Sequence, residues 1–300
     1  MKKILTLFFL LVCATGVQAQ LLWKISGNGL AKPSYVVGTY HVAPVSFVDS
    51  IPGLKAALDE CEQVYGELDM AEMQDMGALM KMQQAMLLPE GQQLDKLLTA
   101  DQMNRLNAYM KELMGVDMTN PMVAGQMNHM KPAAIETQFQ MLYCIKNTPG
   151  FDPQNLFDSY FQKTAAEKGK AVGGLETMEF QTKVLYLDKS IERQVETLMC
   201  AIDNKAFGEQ VMDLTTKAFF AQNLDGIKDA MDMKLGTGCD ATPEEEEALI
   251  YGRNAAWAEK LPAIMQAKPT FLAVGAAHLP GERGLLALLK QAGYDVTPVK

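Results

Sequence analysis

The stretches YVVGTYH (residues 35–41) and LAVGAAH (residues 272–278) share one form, an apolar run that ends in G-x-x-H. A loop, a helical pattern and a further strand pattern follow each copy, which predicts two β–loop–α–β units. Such units place their strands in parallel through a right-handed crossover, so we predict an α/β (α+β) fold with a parallel or mixed central sheet. Ligands of these sheets bind beyond the carboxyl ends of the strands, where both histidines are expected.

The two motifs contain two of the three histidines in this chain of 300 residues. A single G-x-x-H occurs often by chance, whereas two copies that each follow an apolar strand indicate a shared site. The alternative is that His41 and His278 cap helices or fill the core. The third histidine, His129, lies in helical sequence near methionines and is predicted to pack between helices.

Carboxylates near strand ends supply the other groups of a hydrolytic site. Glu67 ends the first unit, and Asp69 is predicted on the same face of that strand, which we expect beside the His41 strand. Glu176 ends another strand pattern. Two imidazoles and a carboxylate suit Zn²⁺, Mn²⁺, Co²⁺ or Fe²⁺, so His41, Glu67 and His278 are the predicted metal ligands. A bound metal activates water, and Glu176 is then the candidate general base or a further ligand.

A helical pattern near the C-terminus adds Arg253 and Asn254, with Trp257 one turn further on. The arginine fork can hold a substrate carboxylate or stabilise a developing oxyanion, so both Arg253 and Asn254 are candidate catalytic residues. The alternative for Arg253 is an ion pair with an acidic neighbour. Trp257 is predicted to lie in the core.

The helical pattern of residues 70–168 separates two α/β parts, residues 20–69 and 169–300. We predict one domain whose α/β core carries a helical insertion or lid. Fourteen of the 21 methionines lie between Met70 and Met141. Methionine is a flexible core filler that suits an adaptable apolar groove, so we interpret these residues as core and groove lining. Copper(I) binding by the thioethers is the alternative.

The first 19 residues predict a secretory signal peptide, with lysines at positions 2 and 3, an apolar run over 4–12 and the cleavage sequence Val17-Gln18-Ala19. Cleavage before Gln20 predicts an exported protein, periplasmic or secreted. No later run reaches the roughly 20 apolar residues of a membrane helix, so no transmembrane segment is expected.

The net charge and the cysteine content indicate which partners and which kinds of cysteine site to expect. The net charge of −9 argues against a nucleic-acid partner, because such proteins present a basic face. Four cysteines remain beyond the signal sequence, and they allow three pairings: Cys61, Cys144, Cys200 and Cys239. No C-x-x-C spacing occurs, so we expect structural bridges or buried thiols rather than a cysteine metal site.

Taken together, these motifs resemble the TraB/GumN family, which includes the TIKI proteases. The matching sequences are Val37–His41, Glu67–Asp69, Gly174–Thr177, Arg253–Asn254 with Trp257, and Val274–Gly281. The resemblance implies a metal-dependent hydrolase clan, related in fold to erythromycin esterases and to a haem-binding group. It also implies manganese or cobalt bound by the two G-x-x-H histidines and a glutamate, here His41, His278 and Glu67, with Glu176 nearby. Tyr40 stands where a small aliphatic residue is more usual.

The residues and the resemblance together predict an exported metal-dependent hydrolase. A metallopeptidase that acts on a peptide or protein is the first hypothesis, with Mn, Co or Zn as the metal. A non-catalytic protein that binds a metal, haem or a peptide is the alternative. Metal-free esterase chemistry, with one histidine as base, is the third. The substrate, the metal and the oligomeric state stay open.

Overall fold

The computed structural model describes residues 20–300. The predicted signal peptide, residues 1–19, lies outside the described residues. Within them, a six-stranded sheet has the order β4-β3-β5-β2-β1-β6. Its strands are β1 (Leu22–Ser26), β2 (Ser34–Thr39), β3 (Gln63–Gly66), β4 (Ala171–Gly174), β5 (Thr270–Gly275) and β6 (Asp295–Pro298).

The sheet is mixed, as predicted. Strands β4, β3, β5 and β2 run parallel, whereas β1 is antiparallel to both β2 and β6. In the register of β2 with β5, Gly38 lies opposite Val274 and Thr39 opposite Gly275. The two G-x-x-H motifs therefore leave the sheet side by side at its carboxyl edge, and the α/β fold class is confirmed.

Strand adjacency differs from the prediction. The strand before Glu67 is β3, and it lies between β5 and β4 rather than beside β2, the strand before His41. The prediction that these two strands are neighbours is therefore wrong. Strand β5 takes the position between them, since its apolar sequence TFLAVG is buried almost throughout and a central strand is covered on both faces.

Helices surround the sheet and continue into a separate helical region. They are α1 (Leu54–Glu60), α2 (Met76–Ala85), α3 (Leu94–Leu97), α4 (Ala100–Met114), α5 (Pro121–Met127), α6 (Pro132–Asn147), α7 (Phe157–Glu167), α8 (Met178–Tyr186), α9 (Ile191–Asp203), α10 (Lys205–Phe220), α11 (Leu224–Met231), α12 (Pro243–Glu246), α13 (Gly252–Ala267) and α14 (Leu285–Gln291). Within residues 20–300, no helix combines the length and apolarity needed to cross a bilayer.

Two apolar clusters hold the fold together. In the sheet cluster, Phe161 of α7 stacks on Phe271 of β5 with ring centroids 5.4 Å apart, and Trp257 of α13 is buried as predicted. The second cluster joins α3 to α6 with α9, through side chains such as Leu106, Ile135 and Leu198. Because α9 follows residue 168, the helical region draws on residues beyond the predicted insertion, and the domain division stays a prediction.

The methionines and His129 are distributed between core and surface. Met110 and Met130 are buried in the second cluster, whereas Met76 and Met80 of α2 are 69% and 64% exposed. His129 is exposed in the turn after α5, so the prediction that it packs between helices is wrong. Helix α5 ends at Met127, two residues before His129. The backbone carbonyl of His129 accepts a hydrogen bond from the Leu88 amide.

One disulfide bridge forms among the four cysteines of the described residues. Cys200 of α9 is bonded to Cys239 in the loop before α12. Cys61 is a buried free thiol and Cys144 a half-buried one. Burial raises the pKa of the Cys61 thiol to about 12, so it stays protonated and unreactive at neutral pH.

Candidate functional site

His41 lies just beyond β2, and its ring is held by an aspartate. Its Nδ1 is 3.0 Å from Oδ2 of Asp158, at the start of α7, and the Thr39 hydroxyl donates to the other carboxylate oxygen. The side chain is 70% exposed but lies at the wall of a cleft. The attraction of Asp158 raises the pKa of His41 to about 9, so the ring is protonated at pH 7.

His278 follows β5 through one tight turn and has the opposite environment. Its side chain is 5% exposed, and its Nδ1 donates to Oδ1 of Asn254 at 2.7 Å. Its Nε2 accepts from Nη1 of Arg253 at 3.2 Å, and the ring packs 4.5 Å from that of Trp257. Burial lowers the pKa of His278 to about 4, so this imidazole is neutral at pH 7.

Close backbone packing brings the two motifs together. A Cβ atom on Gly38 would lie 3.0 Å from the Cα atom of Ala276, in the other motif. A Cβ atom on Gly275 would lie 3.1 Å from the carboxylate of Glu67. The glycine of each G-x-x-H therefore allows a close approach that a side chain would obstruct.

Arg253 joins two buried glutamates. Its Nη2 donates to Oε2 of Glu67 at 2.6 Å and to Oε1 of Glu176 at 2.7 Å, and its Nε donates to Glu176 at 3.1 Å. The side chain of Arg253 is only 11% exposed, that of Glu67 16% and that of Glu176 5%. A π-helical turn, Glu247–Tyr251, precedes Arg253, and the Leu249 carbonyl accepts from Nη1 at 2.9 Å. Because the arginine supplies the positive charge for both carboxylates, it is the hub of the site.

Glu67 is ionised despite its burial. Burial by itself raises the pKa of this carboxyl group, but the attraction of His278 and Arg253 outweighs it, and the pKa is lowered. At pH 7 His278 is neutral, so the attraction that remains comes from Arg253 and from the protonated His41. The Gly275 amide donates to Oε1 at 2.8 Å, and the Gln181 side chain donates to Oε2 at 3.1 Å.

The backbone holds Glu176 beside Glu67. Strands β3 and β4 pair as far as Gly66 and Gly174, and the Glu176 amide then donates to the Glu67 carbonyl at 2.9 Å. The Glu176 carboxylate also accepts from Nε1 of Trp257 at 3.0 Å. Both of its oxygens are thus engaged within the protein.

Asp69 does not share the site with Glu67. Strand β3 ends at Gly66, before both residues, so the alternation of side chains along a strand does not apply to them. The Asp69 carboxylate instead accepts from the Ala71 amide at 2.9 Å in the following turn. The prediction that the two carboxylates share one strand face is wrong for this reason.

A cleft of about 260 Å³, here called the site cleft, lies beside these groups. His41, Glu67 and Asp158 line it. The other predicted residues, His278, Glu176, Arg253 and Asn254, form the layer behind Glu67. The structure therefore brings all six predicted residues into one region but exposes only two of them to the cleft.

Asp158 and Gln181 contact the site but were not among the predicted site residues. Asp158 is 117 residues from the histidine that it contacts, and Gln181 is 114 residues from Glu67. No local pattern distinguishes them from other polar residues near helix starts. Their position within the first turn of α7 and of α8 is the one signal available, because such turns surround the carboxyl edge of a sheet.

Comparison with known proteins agrees with these motifs. A model of the TraB/PrgY/gumN family matches residues 21–298. The chain belongs to this family. It is 26% identical to Metalloprotease TIKI2 of Danio rerio over 320 residues, which cover 92% of this chain and 60% of that protein. It is also 26% identical to Metalloprotease TIKI1 of Xenopus tropicalis, with 92% and 60% covered, and 24% identical to Metalloprotease TIKI1 of Homo sapiens, with 92% and 61% covered.

This family member thus spans about three fifths of the length of these relatives. No solved structure matches the chain with significant similarity. The resemblance found in the motifs is confirmed at the level of the family.

The nitrogen and oxygen atoms of the site are of the types that bind a divalent metal. An oxygen acceptor holds Nδ1 of each histidine, Asp158 for His41 and Asn254 for His278, which is the usual way to orient Nε2 toward a metal. Within residues 20–300, Nε2 of His41 has no hydrogen-bond partner. With the carboxylate of Glu67, these atoms give the two imidazoles and one carboxylate that Zn²⁺, Mn²⁺ and Co²⁺ accept.

Arg253 holds two of these donors in the present arrangement. It donates to Nε2 of His278 and to Oε2 of Glu67. Among residues 20–300, no three His, Cys, Asp or Glu side chains converge on a metal position. The residues therefore fit a metal by their chemistry, and metal binding requires the guanidinium to release the His278 nitrogen.

Proposed function

We propose that this protein is an exported metal-dependent hydrolase of the metallopeptidase type, with a peptide or protein substrate. The observation that carries the proposal is the pair of histidines that follow adjacent parallel strands, each with its Nδ1 held by an oxygen, at the sheet edge where Glu67 accepts from the Gly275 amide. The relatives named metalloproteases support the reaction class. We assign the metal to His41, Glu67 and His278, with Mn, Co or Zn as candidates.

A bound metal would supply a water of lowered pKa and a Lewis acid for the substrate carbonyl. Asp158 and Asn254 orient the two imidazoles. His41 must lose its proton before Nε2 can serve as a ligand. Arg253, once it releases Nε2 of His278, keeps its hydrogen bonds to Glu67 and Glu176 and so holds the Glu67 carboxylate in position.

The two glutamates have different roles in this proposal. Glu176 is 5% exposed and accepts from Arg253 and Trp257, so it is a positioning residue that keeps the guanidinium in place. Glu67 lines the site cleft, and we assign ligation and proton acceptance to it. A Glu67→Gln variant separates the two roles, since an amide oxygen can ligate but cannot accept the proton.

A second candidate is metal-free hydrolysis with His41 as the general base above its pKa of about 9, where the ring is deprotonated. The exposed ring, the Asp158 carboxylate on its Nδ1 and the Thr39 hydroxyl on that carboxylate form a chain that favours it. An aspartate in this position fixes the tautomer and stabilises the protonated ring, as in hydrolytic triads. Hydrolysis that resists a chelator would select this candidate.

The test uses purified protein, metal analysis and a peptide library cleaved with and without chelator. We expect stoichiometric metal, cleavage that the chelator abolishes, and loss of cleavage in His41→Ala. The matched control is His129→Ala, because His129 is exposed and outside the site. Full metal-dependent cleavage by His41→Ala would refute the proposal, and stoichiometric metal without cleavage would favour a binding protein.

Export is part of the same proposal. The bridge between Cys200 and Cys239 supports it, because structural disulfides persist in oxidising compartments. Sequencing the N-terminus of the protein recovered from its native compartment should give Gln20 as the first residue. A chain that still begins with Met1 would contradict the predicted cleavage.

A further inference from the structure

Much of the wall of the site cleft is apolar. This part consists of Met70, Met73, Met82, Leu156, Met178 and Leu185. Among the described lining residues, the ionisable groups besides Tyr186 are His41, Glu67 and Asp158. The charged groups belong to the proposed site, and the rest of the lining is mainly apolar, with the polar side chains of Ser159, Gln162, Gln181, Thr182 and Tyr186 among the methionines and leucines.

The volume of the cleft limits what can enter. Pockets for drug-sized molecules measure about 300–1,000 Å³. At about 260 Å³, the site cleft has room for a single large side chain rather than a longer folded segment. An acidic side chain would lose its hydration against the methionines and leucines of this wall, which is unfavourable.

Helix α2 contributes Met82 to this wall. None of its residues is fully buried, and it packs mainly on α8. A second hollow, of about 830 Å³, lies between α2 and α8, and Met82 lines both this hollow and the site cleft. Because methionine is unbranched and flexible, a wall of this kind adapts to apolar side chains of different shape.

We propose that the site cleft is a specificity pocket for one large apolar side chain of a peptide, such as Leu, Met or Phe, next to the cleaved bond. This inference rests on the proposed function, and it names the substrate class of the same site. Met82, Met178 and Thr182 line both the cleft and the hollow, and Met82 is the specificity-determining residue of the three, because it lies on α2, where no residue is fully buried.

The experiment compares quenched fluorescent peptides that differ at one position: Leu, Phe, Ala or Asp. With the metal-loaded protein, we expect kcat/KM for Leu and Phe to exceed that for Ala by about 10-fold or more, the effect of lost methylenes in an apolar pocket. Cleavage of the Asp peptide should be weaker still. Equal kcat/KM for all four peptides would overturn the inference.

The second part of the experiment fills the pocket with a larger side chain. Met82→Trp should lower kcat/KM for the Leu peptide at least 10-fold and leave the Ala peptide within about 2-fold. The matched control is Met80→Trp, on the same helix but 64% exposed and outside the cleft, which should change neither. Equal loss for both peptides in Met82→Trp, with a native circular dichroism spectrum, would refute the size-selective role.

A measurement of peptide binding tests the specificity pocket independently of the proposed hydrolase activity. Affinities of the Leu and Asp peptides, measured by calorimetry without added metal, test the pocket even if no peptide is cleaved. Tighter binding of the Leu peptide, weakened at least 10-fold by Met82→Trp, would support the pocket while absent cleavage refutes the hydrolase. Cleavage without any apolar preference would refute the pocket and leave the hydrolase intact.

Discussion

Replacement of Arg253 by methionine should be the most destabilising single change in the site. The guanidinium is 11% exposed and donates to Glu67, Glu176, His278 and the Leu249 carbonyl. Methionine keeps much of the side-chain volume but removes the charge and every donor. The two glutamates, 16% and 5% exposed, then stay buried without their partner.

The magnitude follows from the burial of these charges. Removing one partner of a buried ion pair costs about 3–5 kcal/mol, because an uncompensated charge remains. We therefore expect Arg253→Met to lose about 3–5 kcal/mol of unfolding free energy at pH 7. The loss should shrink at acid pH. The pKa of Glu67 is lower in the folded state than in the unfolded state, so its ionised form stabilises the fold at pH values above the unfolded-state pKa, and this stabilisation disappears as the pH falls through the folded-state pKa.

Urea unfolding followed by circular dichroism measures this loss. The control is Arg283→Met, whose partner Glu247 is 50% exposed while Arg283 itself is 55% exposed, and a surface pair of this kind contributes about 1 kcal/mol or less. The double variant Arg253→Met with Glu176→Gln should recover part of the loss, because one buried charge is removed. An Arg253→Met loss no larger than that of Arg283→Met would refute the assignment of the arginine as hub.

Three further predictions concern other charges and the disulfide. The Arg193 guanidinium, with the Thr242 amide and Lys189, lowers the pKa of Glu245 to about 2, so the ionised Glu245 should contribute about 3 kcal/mol of stability above its ordinary pKa of 4.5, and this stability is lost as pH falls toward 2. Thermal unfolding of wild type and Glu245→Gln should therefore differ at pH 7 and converge at acid pH, and a constant difference would contradict this. Asp158→Asn should lower the pKa of His41 from about 9 toward its ordinary value, seen in an NMR titration of the histidine resonances, and an unchanged pKa would refute the contact. Reduction of the Cys200–Cys239 bridge should cost about 2–4 kcal/mol in urea unfolding, and reductant-independent stability would argue against it.

The two copies of G-x-x-H show how one local motif gives two electrostatic outcomes. Both histidines follow neighbouring parallel strands, yet His41 is protonated at pH 7 and His278 is neutral. The difference comes from their surroundings, an aspartate beside an exposed ring in one case and burial beside an arginine in the other. A pattern of four residues contains neither neighbour.

What could be read from the sequence is what depends on short stretches of chain. Apolar runs, glycines and helix patterns predicted the α/β class, the strand ends and the location of both histidines at one sheet edge. They also indicated Arg253 and Glu176 as candidate site residues. The alternative interpretation of Arg253 was an ion pair with an acidic neighbour, and the structure contains this contact between Arg253 and Glu176.

Only the tertiary structure decided which groups meet. It placed β5 between the strands that end before His41 and Glu67, brought Asp158 to His41 across 117 residues, and brought Arg253 to Glu67 across 186 residues. Local patterns reflect backbone preference and burial of nearby side chains, whereas these contacts arise when distant segments share one core. The sequence by itself therefore determined the strands and the candidate donors, and the packing of the sheet determined their partners, their charges and which of them face the cleft.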